Sequence, residues 1–110
     1  MNISNKFEHL VQEIKELKDF AVDKSKDPSF PNEYACGMYN MSYFLYGIVQ
    51  RAVTVTYTDN DRFNYVSDII KRNLQTHKEQ LYVRDTEQHN GRMYILETLM
   101  TTINTLEEGA

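Results

Sequence analysis

The chain has 110 residues and a mass of 13.0 kDa, the size of one ordinary domain, which excludes a multidomain enzyme. A composition of 41% hydrophobic and 25% charged residues excludes disordered and collagen-like classes. Twelve basic against sixteen acidic side chains leave a net charge of −4, too weak to attract nucleic acid or an anionic membrane by charge alone, and too weak for a DNA mimic.

The first predicted element is an amphipathic helix. Ile3, Phe7, Leu10, Ile14, Leu17 and Ala21 recur at alternating steps of four and three, which puts them on one face, with Val11 and Phe20 widening the stripe. Ser4 or Asn5 is placed to cap its start, and Glu8 stands three residues after Asn5 as in a capping pair. The helix is expected to end near Val22, because Asp23-Lys24-Ser25-Lys26-Asp27-Pro28 is polar and the proline disfavours helical geometry at Asp27.

Pro31 suits the first turn of a second helix, and Glu33 adds negative charge beside its N-terminal dipole. Tyr34, Met38, Met41, Leu45, Ile48, Ala52 and Val55 form its core stripe, while Tyr39, Tyr43, Phe44 and Tyr46 spread bulk around the rest. A helix so apolar on all sides must be central, or lend one side to another chain. Gly37 and Gly47 each cost about 1 kcal/mol against alanine in a helix, and are expected where a neighbouring helix comes close. The end of this helix is ambiguous, since residues 53–58 alternate β-branched and aromatic residues with threonine. A fraying helix is the favoured reading and a short strand the other, its partner to come from Leu81-Tyr82-Val83 or Met93-Tyr94-Ile95.

Thr58-Asp59-Asn60-Asp61 is a helix start, with threonine as the cap. The third helix is expected to bury Phe63, Val66, Ile69, Ile70 and Leu74 and to run to about Glu79 or further. A last helix begins after Asp85-Thr86, or restarts after Asn90-Gly91, and carries Met93, Leu96, Leu99, Met100, Ile103 and Leu106, with Gly109 at its stop. The predicted fold class is therefore all-α, a small bundle of about four helices in a single domain, with a β-like stretch near 53–58 as the one alternative.

Few residues carry recognisable chemistry. His9, His77 and His89 stand apart, and Cys36 has no partner at ligand spacing, so no metal or other cofactor is expected. Asp59-Asn60-Asp61 resembles the start of a calcium loop, but Asn64 replaces the glycine and Ile70 the glutamate that such a loop requires. Glycines at 37, 47, 91 and 109 cannot form a phosphate cradle. Cys36 reads as a small core cysteine, with a nucleophile beside His9 or His77 as the alternative. No catalytic residues are assigned, and the chain is read as a non-enzyme. Arg62 to Arg92 is locally basic. It reads as a solvated face, with Arg51, Lys71 and Arg72 as the candidate anion-binding set.

Eight tyrosines stand against no tryptophan, and tyrosine suits half-buried positions and interfaces. Most are expected to cover the bundle's own core. Tyr39, Tyr43 and Tyr46, with Phe44 and Gln50 beside them, follow helical spacing on a side the core stripe does not use, and they are the interface candidates. Base stacking is disfavoured because no basic groove accompanies these rings.

The segments Glu33-Tyr34-Ala35-Cys36-Gly37-Met38-Tyr39-Asn40 and Asn90-Gly91-Arg92-Met93-Tyr94-Ile95-Leu96-Glu97 resemble the short helical accessory proteins of tailed bacteriophages, which pair an "EYAxGM" helix start with a later "xGRxxxLE" helix. The resemblance implies a phage-encoded protein and puts Gly91 inside or at the start of the last helix. It carries over no catalytic residues. The expected function is a non-enzymatic interaction module that binds and modulates or inhibits a host or defence protein. The alternatives are a virion or assembly component forming a symmetric homo-oligomer, and a nucleotide sponge with a tyrosine-lined pocket between subunits. The first six residues have no apolar run, the single cysteine forms no internal disulfide, and residues 34–55 are interrupted by Asn40, Ser42, Gln50 and Arg51. The expectation is a cytoplasmic chain with no membrane segment.

Overall fold

A computed structural model describes residues 5–80 and 86–109. It contains four helices: α1 (Lys6–Ser25), α2 (Asn32–Val55), α3 (Asp59–Lys78) and α4 (Thr86–Glu108). The all-α expectation holds. Among the described residues there is no strand, and no helix is long and apolar enough to cross a membrane.

Local chemistry explains the boundaries. The Asn5 side chain accepts a hydrogen bond from the Glu8 amide at 2.9 Å, and Thr58 Oγ1 accepts one from the Asp61 amide at 3.0 Å. Each cap satisfies one of the donors that a helix start leaves unpaired. Helix α1 runs three residues past the expected stop at Val22, and the Ser25 hydroxyl donates back to the Val22 carbonyl at 2.6 Å. Pro31 lies one place earlier than expected: it is the capping residue of α2, with ψ at 117°, and the helix starts at Asn32. In the intervening turn Asp27 Oδ1 accepts from the amide and the hydroxyl of Ser29, at 2.9 and 2.7 Å.

The β-like reading of residues 53–58 is resolved in favour of helix as far as Val55. Thr54 Oγ1 donates to the Gln50 carbonyl, and both the amide and the hydroxyl of Thr56 donate to Ala52. Residues 56–58 form the link to α3. The β-branched residues here find no strand partner among the described residues, so continuing the helical ladder satisfies their backbone. Of the two partner segments considered, Met93-Tyr94-Ile95 lies within α4 and residues 81–83 lie outside the described residues.

Helix α2 is central, packing most extensively against α4 and α1, while α3 rests chiefly on α4. A helix of 24 residues is about 36 Å long, which accounts for most of the 40 Å long axis. One core joins all four helices, led by Leu10, Ile14, Met38, Leu45, Phe63, Ile70, Ile95, Leu99 and Ile103, and a large side chain buried in this way contributes about 1.5–3 kcal/mol. Several expected core positions lie further out: Phe20 and Val55 are exposed, and Val11, Tyr34, Ile48, Ile69, Met93 and Met100 are half-buried. Ala35 and Val49 take their share of the interior. The core face of α2 keeps Met38, Met41, Leu45 and Ala52 of the expected stripe and is turned slightly from it, with Ala35 and Val49 buried in place of the expected Tyr34 and Ile48.

The two predicted close-approach glycines divide. A Cβ built on Gly37 would overlap the Gln88 carbonyl of α4, whereas nothing lies within 4 Å of one built on Gly47. Gly91, well inside α4, sits against the backbone of Tyr34 and Met38. These two contacts set the α2–α4 crossing, which Gln88 Nε2 reinforces by donating to Glu33 Oε2 at 2.5 Å.

Candidate functional site

Helix α2 buries Met38, Met41, Leu45, Val49 and Ala52, and the side turned away from them is open. On that side Tyr39 and Tyr43, one turn apart, stack with ring centroids 5.7 Å apart and planes 23° from parallel. They are 37% and 59% exposed, and the adjacent Phe44 is 46% exposed. Gln50 is exposed further along, so the stripe from Tyr39 to Gln50 spans about 16 Å of helix. Gly47 lies one turn beyond Tyr43 and leaves open space on the same side.

Tyr46 departs from the predicted group. It is half-buried against the core, and the Lys18 ammonium of α1 sits 5.4 Å from its ring centroid, so it belongs to the seam between α1 and α2. Cys36 also departs from expectation. It is only partly buried, receives a long contact from the Asn40 amide at 3.7 Å, and lines a shallow hollow with Ser25, Asn32 and Tyr39. No histidine lines that hollow.

The predicted cationic set is largely engaged elsewhere. Lys71 Nζ pairs with Glu107 of α4 at 2.9 Å, and Arg72 Nε donates to the Asp68 carbonyl of its own helix at 3.4 Å. Arg51 is exposed on α2. Among the described residues no group of three or more His, Cys, Asp or Glu side chains is arranged to hold a metal ion. His77 and His89 do stack, at 5.6 Å between centroids. Burial holds the His89 imidazole below its ordinary pKa, and the neighbouring His77 and Arg92 act in the same direction.

A second aromatic group was not visible in the sequence. Phe20 contacts Tyr94 (6.4 Å), Tyr94 contacts Tyr34 (6.3 Å) and Tyr34 contacts Phe30 (5.8 Å, edge to face). The Lys24 ammonium closes the circuit, 5.5 Å from the Phe20 centroid and 5.6 Å from that of Phe30. Between the rings, Pro31 and Met38 complete a cleft of about 340 Å³. Burial pushes the Tyr34 phenol above its ordinary pKa, and Tyr94 and the carboxylates of Glu87 and Glu97 add to the shift. These rings come from α1, the first turn, α2 and α4, so no sequence spacing relates them. The only hint was that Phe20 and Tyr34 each lay at the margin of a core stripe.

The architecture is thus an all-α four-helix bundle whose central helix keeps one aromatic side exposed among the described residues. No protein-family model matches it, and comparison with curated proteins and with solved structures gives no match.

Proposed function

We propose that the chain is a non-enzymatic protein-interaction module, and that the outer side of α2 is the surface it offers. The observation that carries this reading is the stacked pair Tyr39 and Tyr43 with Phe44 beside them, three large rings held in water on the most deeply packed helix of the bundle. Paired rings on a rigid helix lose little conformational freedom on docking and bring a large apolar area, the properties of interface anchors. The likeness of residues 33–40 and 90–97 to phage accessory helices supports a host or defence protein as the partner, and hence a phage-encoded modulator or inhibitor.

Self-association is the second reading, favoured by Gly47. Its open surface beside Tyr43 lets the backbone of another helix come close, so two α2 helices could pack through the Tyr39–Gln50 stripe. In both readings the aromatic stripe is the contact.

The test is the double variant Tyr39→Ala/Tyr43→Ala. Sedimentation velocity and capture of partners from a bacterial lysate are to be compared with the parent chain, with helical circular dichroism as the check on folding. Association lost while helicity persists supports the reading. Association that survives the double substitution overturns it.

A further inference from the structure

We infer that the cleft between Phe20, Phe30, Tyr34 and Tyr94 is a binding site for a small quaternary ammonium compound, with the Lys24 side chain as its built-in competitor. Three observations converge. Four rings from separate segments surround one cleft, each touching the next. The faces of aromatic rings carry negative charge density and attract cations, most strongly those that shed water easily, as methylated ammonium groups do. The chain itself demonstrates the preference: the Lys24 ammonium lies between Phe20 and Phe30, within cation–π reach of both.

The surrounding charge points the same way. The Glu87 and Glu97 carboxylates act on the Tyr34 phenol, so the negative field on this side of the cleft complements a cation. Phe20 and Tyr94 are 39% and 40% exposed, which keeps the mouth open. A volume of about 340 Å³ lies at the small end of ligand pockets and suits a trimethylammonium head with a short tail. Lys24 is tethered and strongly hydrated, so it competes only weakly for the faces of Phe20 and Phe30. Its ring contacts correspond to about a two- to five-fold competition at a partly exposed site.

The experiment titrates the full chain with choline chloride against sodium chloride of equal ionic strength, following amide and aromatic NMR signals. Saturable shifts centred on Phe20, Phe30, Tyr34 and Tyr94 are expected. Lys24→Gln should tighten binding about two- to five-fold. Tyr94→Leu, which keeps apolar bulk but removes the ring face, should weaken it at least as much, and Phe30→Leu in the first turn provides the same test at a second ring. The neutral isostere 3,3-dimethyl-1-butanol should bind more weakly than choline. The inference is overturned if Lys24→Gln shows no saturable response to choline, if the neutral isostere binds equally well, or if both leucine variants, folded by circular dichroism, bind as the parent does.

Discussion

Gly37 and Gly91 lie where the backbones of α2 and α4 meet. Gly37 abuts the Gln88 backbone, and a Cβ on Gly91 would stand 2.9 Å from the Met38 nitrogen. In both cases the obstruction is main chain, which cannot rotate aside as a side chain can. Gly37→Ala and Gly91→Ala should each destabilise the fold by about 1–2 kcal/mol, because overpacking against main chain, at the upper end of about 1–3 kcal/mol, outweighs the roughly 1 kcal/mol gain in helix propensity. Gly47→Ala, with open space around it, should instead stabilise by about 1 kcal/mol. Urea unfolding of the three variants measures the contrast.

The stacked histidines predict a pH dependence. His89 is held below its ordinary pKa by burial, with His77 and Arg92 nearby, and its Nδ1 is buried with no hydrogen-bond partner among the described residues. The unfolded chain therefore binds a proton at His89 more readily than the folded chain does. The stabilisation is complete above the ordinary histidine pKa of about 6.5 and is lost as the pH falls from there through the lower folded value. The urea midpoint should drop between pH 7.5 and pH 5.5. His89→Gln should reduce that drop.

At the start of α3, Thr58 satisfies the Asp61 amide at 3.0 Å. Thr58→Ala should cost about 1 kcal/mol, and Thr58→Asp should retain the cap while adding a favourable charge at the helix N-terminus. The measurement is the unfolding midpoint of each variant.

The Lys71–Glu107 pair links α3 to α4 at 2.9 Å, with both side chains about 40% exposed (41% and 43%). Solvent and salt weaken such a pair, so Lys71→Ala should change stability by less than about 1 kcal/mol, and the effect should shrink further in high salt. A double-mutant cycle with Glu107→Gln isolates the pair.

Residues 33–40 and 90–97 acquire a physical meaning in the fold. Residues 33–40 hold Ala35, Gly37 and Met38 on the buried side of α2, and residues 90–97 hold Gly91, Ile95 and Leu96 on the buried side of α4. The two segments face each other across the crossing. The buried residues of these segments therefore meet a packing requirement between two helices, while Tyr39 of the first segment points to the other, exposed side of α2.

The sequence by itself determined four helical segments, the cap at Thr58 and most of the core, and narrowed the first cap to Ser4 or Asn5, because helical periodicity and capping depend on residues within a few positions of one another. It also singled out Tyr39, Tyr43 and Tyr46 by their helical spacing on α2, with Phe44 and Gln50 beside them. Only the tertiary structure decided that Tyr46 turns to α1, that Gly37 rather than Gly47 meets a neighbouring helix, that Lys71 is paired with Glu107, and that Phe20, Phe30, Tyr34 and Tyr94 enclose one cleft. Each of these depends on how one helix is rotated and placed against another, and that arrangement is set by the whole core packing at once.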